Sequence, residues 1–279
     1  MSVVVPTSLA DALRAVADDP DAIVLAGGTD LMVEFNEGRR RPSSIVAVHR
    51  VPELSTWHHD PVAGTLRIGA GVTYDEIERD PIARWVPALS QAARTVGSPQ
   101  IRHAATIGGN VGTASPAGDG LPVLAALDAV VELTHERGVR LVPFGDFMVG
   151  PKRTVRQPGE LITAVTVPVL SGYQGYTKVG VRNAMVIATA SVALVVRPGA
   201  VAIALGSVGP TIIRCHDAEA LVSAHADFEA CRVSDDVVHE AAELVRAAAR
   251  PIDDHRSTAA YRRHAVGVLA ARLLRRAFQ

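Results

Sequence analysis

Cysteine is scarce in this chain of 279 residues, which holds only Cys215 and Cys231. Two thiolates cannot supply the four that an iron–sulfur cluster takes. Neither stands in a C-x-x-C pair, so a disulfide framework is not expected, and both read as small buried hydrophobes. Net charge is lacking too: 28 Lys and Arg stand against 29 Asp and Glu, a formal balance of -1. That leaves no basic field to hold nucleic acid. No basic segment followed by an apolar run opens the sequence, and no window of about 18 uncharged apolar residues occurs. Neither a leader nor a membrane span is expected, and the chain reads as soluble and cytoplasmic. G-x-G-x-x-G and G-K-[ST] are both absent, which removes the dinucleotide fingerprint and the P-loop. There is no internal repeat, no low-complexity tract and no evident nucleophile–base pair.

What is present is an ordinary globular composition, 48% apolar and 20% charged, with material for about two domains. The most unusual stretch is 97–119, GSPQIRHAATIGGNVGTASPAGD. It holds five glycines and two prolines and shows no hydrophobic period. A connection this long inside a compact domain is functional or disordered. Ile101, Ile107 and Val111 recur through it, which argues against disorder and for backbone wrapped around a ligand.

Local signals place the other elements. Ser8 caps a helix with apolar positions Leu9, Ala12, Leu13 and Val16, and Pro20 ends it. Residues 22–28 read as a short strand running into a glycine turn, and Thr29-Asp30 opens a helix over 31–37 that stops at Gly38. A strand over 45–48 completes a first small α/β unit. A second unit starts with a strand at 66–70, followed by a helix with a Thr73/Glu76 capping box. Residues 82–96 look helical, interrupted by Pro87. A helix at 121–127 and strands at 129–134, 139–142 and 161–167 follow. Near residue 170 the character changes to strands at 175–180, 188–196 and 201–205, with Arg197-Pro198-Gly199 as a hairpin turn. Another strand is expected at 211–215. Helices at 217–222 and 233–250 and one from Ser257 complete a C-terminal α+β domain of antiparallel sheet and helices.

Two sites, Ala26-Gly27-Gly28-Thr29-Asp30 and Thr106-Ile107-Gly108-Gly109-Asn110, share a logic. Adjacent glycines let main-chain N–H groups approach an anion, and a following helix start adds its dipole. Each hydrogen bond to a charged group contributes about 1.5–3 kcal/mol, so a few could hold a pyrophosphate without lysine. A lone Gly-Gly serves a tight turn equally well; the second copy and the flanks favour a ligand.

Those flanks carry a resemblance. AGGTDLMVEFNEGRRRPSSIVAVHRVPEL, LRIGAGVTYDEIERD and GSPQIRHAATIGGNVGTASPAGDGLPVLAALDA, with the later YTKVGVRNAMVIATASVAL and AYRRHAVGVLAARLLRRA, resemble the FAD-binding (medium) subunit of the molybdenum hydroxylases. This is the carbon monoxide dehydrogenase / xanthine dehydrogenase family, and the likeness covers essentially the whole chain.

The resemblance implies an FAD-binding domain of the vanillyl-alcohol-oxidase/p-cresol-methylhydroxylase type over 1–170, in subdomains of about 1–55 and 56–170. A smaller domain, 171–279, closes over the flavin. Residues 25–32, including Leu25, Ala26, Gly27, Gly28, Thr29, Asp30 and Leu31, would wrap the pyrophosphate. Thr106, Ile107, Gly108, Gly109 and Asn110 would contact the phosphates and ribityl chain, with Ser115 alongside. Gly97, Ser98 and Ile101 match a segment near the flavin, and Ile162, or its neighbour Leu161, an aliphatic contact. Asp119 matches an acidic residue towards the adenosine end. Lys178 matches a lysine near the isoalloxazine, where positive charge would favour reduced flavin. Two departures are His103, where the family pattern suggests asparagine or a similar polar residue, and Val186, where it often has an acidic residue that could partner Lys178 or Arg182.

The same resemblance implies a large molybdenum-cofactor subunit and a small iron–sulfur subunit as partners, in a dimer of heterotrimers. Electrons would reach an external acceptor: NAD, quinone or oxygen. No catalytic or metal-ligating side chain is expected here. A free-standing FAD-dependent reductase or oxidase, and a scaffold subunit without flavin, are the alternatives.

Plainer readings stand beside these. Asp119 could cap the 121–127 helix, and Lys178 on a strand could be solvated. His58-His59 reads as surface loop rather than metal site. His103 reads as a structural hydrogen bonder. Arg39-Arg40-Arg41 reads as a solvated loop or a partner contact, and Tyr74, Tyr173 and Tyr176 as core or flavin-edge residues.

Overall fold

The structure, a computed structural model, describes residues 1–183 and 186–279. Ala184 and Met185, inside one of the motifs quoted above, lie outside the described residues.

The chain starts with a small parallel sheet in which Ser2–Val4 and Ile23–Leu25 flank Ser44–Ala47. Helix Leu9–Asp18 begins where the Ser8 hydroxyl accepts the Asp11 N–H at 3.1 Å. It buries Ala12, Leu13 and Val16, one helical stripe, with Val46, Val48, Val51 and Leu54. The first strand, Ser2–Val4, is exposed throughout and carries no alternation that a sequence reading could use.

A five-stranded antiparallel sheet follows, ordered Trp57–Asp60, Thr65–Gly69, Leu161–Pro168, Val130–His135, Gly138–Pro143. Its central strand comes from the distant 161–168 segment and is buried over most of its length. His58 and His59 lie in an edge strand of this sheet, not in a loop, and the His59 ring stacks on Trp85 at 4.3 Å.

The expected interrupted helix at 82–96 is two helices, Ile82–Trp85 and Pro87–Arg94. Proline, lacking an N–H, is tolerated in the first helical turn, so Pro87 starts the second helix instead of breaking one. The 97–119 stretch is likewise not a helix-free loop. Ser98 caps Pro99–Ala104, with Pro99 at its first position, and Thr106 caps Ile107–Thr113 through the Gly109 N–H at 3.0 Å. Three glycines inside the second helix, Gly108, Gly109 and Gly112, cost it propensity. Burial of Ile107 and Val111, both 0% exposed, holds it in place.

The C-terminal sheet is antiparallel, ordered Gln174–Val179, Ala190–Arg197, Ala200–Gly206, Ile213–Arg214. Both faces of its central strands are covered, and the alternation shows how. Val192, Leu194, Val196, Val201, Ile203 and Leu205 pack with helices His216–His225, Asp235–Ala248 and Ala259–Ala277. Ala193, Val195, Ala202 and Ala204 point the other way, into the core that holds Ala88, Leu89, Ala92 and Leu124. Small side chains on that face let helices Pro87–Arg94 and Gly120–Ala126 approach the sheet. Cys215 is buried as expected. Cys231 is exposed, in a turn at φ 53°.

Candidate flavin cleft

A cleft of about 1270 Å³ runs between the small parallel sheet, the Ile107–Thr113 helix, the start of the Leu161–Pro168 strand and the 186–187 segment. That exceeds the ~300–1,000 Å³ of most small-ligand sites and suits an extended ligand.

At the end of strand Ile23–Leu25, Gly27 is pressed onto the end of helix Pro99–Ala104. A Cβ on it would overlap the Ala104 carbonyl oxygen. Gly28 then turns at φ 71°, a conformation that favours glycine. Among the described residues no protein atom accepts from the N–H groups of Gly27, Gly28 or Thr29. Three consecutive residues with open donors thus line the cleft, the kind of main-chain N–H row that suits an anion.

The second glycine turn is built differently, and this corrects the expectation of a matching pair. The N–H of Ile107 donates to Val72 O at 3.0 Å, that of Gly108 to Ala70 O at 2.9 Å, that of Gly109 to the Thr106 hydroxyl and that of Asn110 to Thr106 O at 3.0 Å. All four are used within the fold. What this turn offers a ligand is a bare helix surface. Gly109 has only Thr106 Oγ1 near a built Cβ, and Gly112 only Ile162 Cδ1. The Asn110 carbonyl oxygen accepts the Tyr74 phenol at 2.7 Å, which orients its amide. Burial first, and the Asp119 carboxylate second, push the Tyr74 phenol well above its ordinary range.

Ala26, Gly27, Gly28, Thr29, Asp30 and Leu31 line the cleft, as do Gly97, Ile101, Thr106, Gly108, Gly109, Asn110, Ser115, Asp119 and Ile162. Leu25, Ser98 and Ile107 do not. Leu25 lies in the strand behind the turn, Ser98 caps its helix, and Ile107 is fully buried. Lys178 lines an adjoining cavity of about 450 Å³ instead.

Asp119 has helical backbone angles and caps nothing. Its Oδ2 accepts from Lys178 Nζ at 2.7 Å and its Oδ1 from the Tyr176 phenol at 2.8 Å. Burial pushes its carboxyl up, against the pull of the Lys178 ammonium. The expectation that Asp119 sits at the adenosine end and Lys178 at the ring end is therefore corrected: two groups in direct contact mark one place on an extended ligand. Lys178 is buried rather than solvated, and its charge partner is Asp119; residue 186 offers it only a main-chain carbonyl. His103, as read, is a structural bonder, its Nδ1 lying 2.7 Å from Pro99 O.

Reasoning from the sequence missed Lys152, Arg156 and Glu160 at another part of the cleft. Lys152 pairs with Asp30 and Glu34, and Arg156 donates to Glu160 O at 2.7 Å. They come from an aperiodic charged segment that offers no local signal. Among the described residues no group of three His, Cys, Asp or Glu could hold a metal, and no helix is long and apolar enough to cross a membrane.

Open N–H donors on a long cleft, floored by glycine and walled by two domains, define a protein that holds a large phosphate-bearing cofactor. Comparison with known proteins makes the class specific. Residues 1–170 match the model for the FAD binding domain in molybdopterin dehydrogenase, and residues 175–277 the CO dehydrogenase flavoprotein C-terminal domain. The chain is 34% identical over 268 residues to the glyceraldehyde dehydrogenase medium chain of Sulfolobus acidocaldarius, covering 94% of this chain and 92% of that one. It is 35% identical over 223 residues to the xanthine dehydrogenase FAD-binding subunit of Escherichia coli O157:H7, covering 76% and 75%. Carbon monoxide dehydrogenase from Hydrogenophaga pseudoflava superposes with a TM-score of 0.91 at 28% identity, over 99% of this chain and 96% of that one. The chain belongs to the FAD-binding medium subunits of the molybdenum hydroxylases.

The residues present fit FAD. The Gly27–Thr29 donors suit its pyrophosphate, and side chains at Gly109 and Gly112 would project towards the space it needs.

Proposed function

We propose that this chain holds FAD in the cleft as the electron-transfer subunit of a molybdenum hydroxylase complex. It takes electrons from a small iron–sulfur subunit and passes them to an external acceptor (NAD, quinone or oxygen). Substrate is oxidised on a large molybdenum-cofactor subunit. The observation that carries this reading is the row of open N–H groups at Gly27, Gly28 and Thr29 in a cleft that Gly108, Gly109 and Gly112 of one helix also line. Bound FAD supplies the redox chemistry; the chain's part is to bind, orient and tune it.

In this reading the 27–29 donors hold the pyrophosphate, Asn110 and Ser115 reach the ribityl and phosphate oxygens, and Ile162 packs against the cofactor. Gly97 and Ile101 approach the ring from the end that the C-terminal domain covers, and the domain boundary falls near residue 170. Two cysteines cannot build a four-thiolate cluster, so the cluster cannot come from these 279 residues. The assembly is a cytoplasmic dimer of heterotrimers.

Purification under native conditions tests the proposal. The expected result is a yellow protein with one FAD per chain, co-purifying with one larger and one smaller subunit. A chain that isolates without flavin and without partners, or that alone turns over NADH or a substrate at full rate, would overturn it.

A further inference from the structure

The ammonium of Lys178 has three acceptors: Asp119 Oδ2 at 2.7 Å, Thr95 O at 2.9 Å and Val186 O at 3.0 Å. An ammonium has three N–H donors, so none is left over for a ligand. The side chain is 8% exposed and its carboxylate partner 10%. Asp119 in turn uses both oxygens, the second accepting the Tyr176 phenol. The Tyr176 N–H donates to Gln91 Oε1 at 2.8 Å.

These groups come from both sides of the 170–174 connection. Gln91, Thr95 and Asp119 belong to the helical layer before it. Tyr176 and Lys178 belong to the first strand of the C-terminal sheet after it, with Val186 beyond. Asp119 lines the large cleft and Lys178 does not; Lys178 lines the smaller cavity and Asp119 does not. The carboxylate thus stands between the ammonium and the cleft. Gly97 and Val186 border both spaces, so the junction is the wall that separates them.

We propose that Lys178, Asp119 and Tyr176 form an interdomain latch that fixes the C-terminal sheet over the end of the flavin cleft, with Lys178 a positioning residue and not a ligand of the cofactor. This rests on the reading of the cleft as the FAD site. A buried charge that loses its partner destabilises the arrangement around it more than a solvated pair would. Opening one bond should therefore loosen the whole junction. The strand Gln174–Val179 sits at the edge of its sheet and has Ala190–Arg197 as its one neighbour there. The latch ties that edge strand to the first domain.

The test compares Lys178→Met and Tyr176→Phe in the full chain, with the double variant. Three quantities are read: amide hydrogen exchange of 174–179 in flavin-free protein, the FAD dissociation rate, and the absorption spectrum and midpoint potential of retained flavin. For a latch, both single variants speed exchange in that strand at least tenfold without flavin present. Both also speed FAD release at least tenfold, the double variant adds little, and the flavin spectrum and potential stay as in the parent. A Lys178→Met that shifts the spectrum or potential while flavin-free exchange is unchanged would overturn the proposal and make Lys178 a cofactor ligand. If Lys178→Met does not fold, Tyr176→Phe, which removes one hydroxyl and no charge, carries the same readouts. A parent chain that binds no FAD would refute the cleft assignment. The exchange measurement without flavin would still judge the latch.

Discussion

Gly27 lies against Ala104 with no room for a side chain: a Cβ at position 27 would overlap the Ala104 carbonyl oxygen and crowd its carbon. The same is true of Gly108 against Ala70, whose carbonyl accepts the Gly108 N–H at 2.9 Å. These two glycines join segments of the fold while also lining the cleft, whereas a Cβ on the neighbouring Gly109 would meet only the Thr106 hydroxyl.

Gly27→Ala should therefore damage the fold itself. Backbone must move to admit the methyl, at about 3 kcal/mol or more by analogy with overpacked cores. At roughly 2–4 °C per kcal/mol the flavin-free melting temperature should fall by about 6 °C or more. Thermal denaturation of flavin-free protein checks this, and an unchanged Tm would contradict the packing role.

Gly109→Ala should do the opposite. Its Cβ would meet only Thr106 Oγ1, at 3.1 Å. Alanine is favoured over glycine in a helix by about 1 kcal/mol. Flavin-free stability should hold within about 1 kcal/mol, while FAD affinity drops at least tenfold because the methyl enters the ligand's space. Gly109→Val should abolish binding. Titration of flavin-free protein with FAD, set beside its denaturant melt, separates the two effects.

Thr106→Ala removes the hydroxyl that accepts the Gly109 N–H at 3.0 Å. Loss of an N-cap costs about 0.5–2 kcal/mol. With glycines already weakening the Ile107–Thr113 helix, exchange of the 109–111 amides should rise by about tenfold, and Thr106→Ser should restore protection.

Acid should weaken the first domain through two carboxylates. Burial pushes Glu132 up, but hydrogen bonds from Arg67 and the Thr163 hydroxyl outweigh it and hold the carboxyl below its ordinary range. In Glu160 burial is likewise outweighed, by Arg140 and the Gln157 N–H. With folded values depressed, the unfolded chain takes up protons first. Their stabilisation is complete above the ordinary glutamate value of about 4.3 and is lost as pH falls through the lower folded values. Each contributes on the order of 1 kcal/mol after solvent screening. Urea melts between pH 7 and pH 3 should show stability falling below about pH 4.5, and Arg67→Gln should flatten that acid limb.

Much of the fold was legible locally. The helical stripe of Leu9, Ala12, Leu13 and Val16 and the Ser8 cap marked the first helix, and the capping box at Thr73 and Glu76 marked another. Arg197 and Gly199 marked the hairpin between the two longest strands of the C-terminal sheet. Ser2–Val4 and Trp57–Asp60 escaped notice because edge strands need not alternate. The two short helices within 97–119 were hidden by glycine and proline, residues whose local preference is against a helix and whose positions here are set by caps and burial.

By itself the sequence determined the type and order of most elements, the two glycine turns and the family. Composition, periodicity and motif are properties of neighbouring residues, and those survive without coordinates. Only the tertiary structure decided which glycine N–H groups are open, because an N–H is used or left over according to acceptors such as Ala70 and Val72, more than thirty positions away. It alone brought Lys178 to Asp119, 59 residues apart in sequence, and filled all three of the ammonium's donor positions. Burial and hydrogen-bond saturation are properties of the packed chain, and no local pattern carries them.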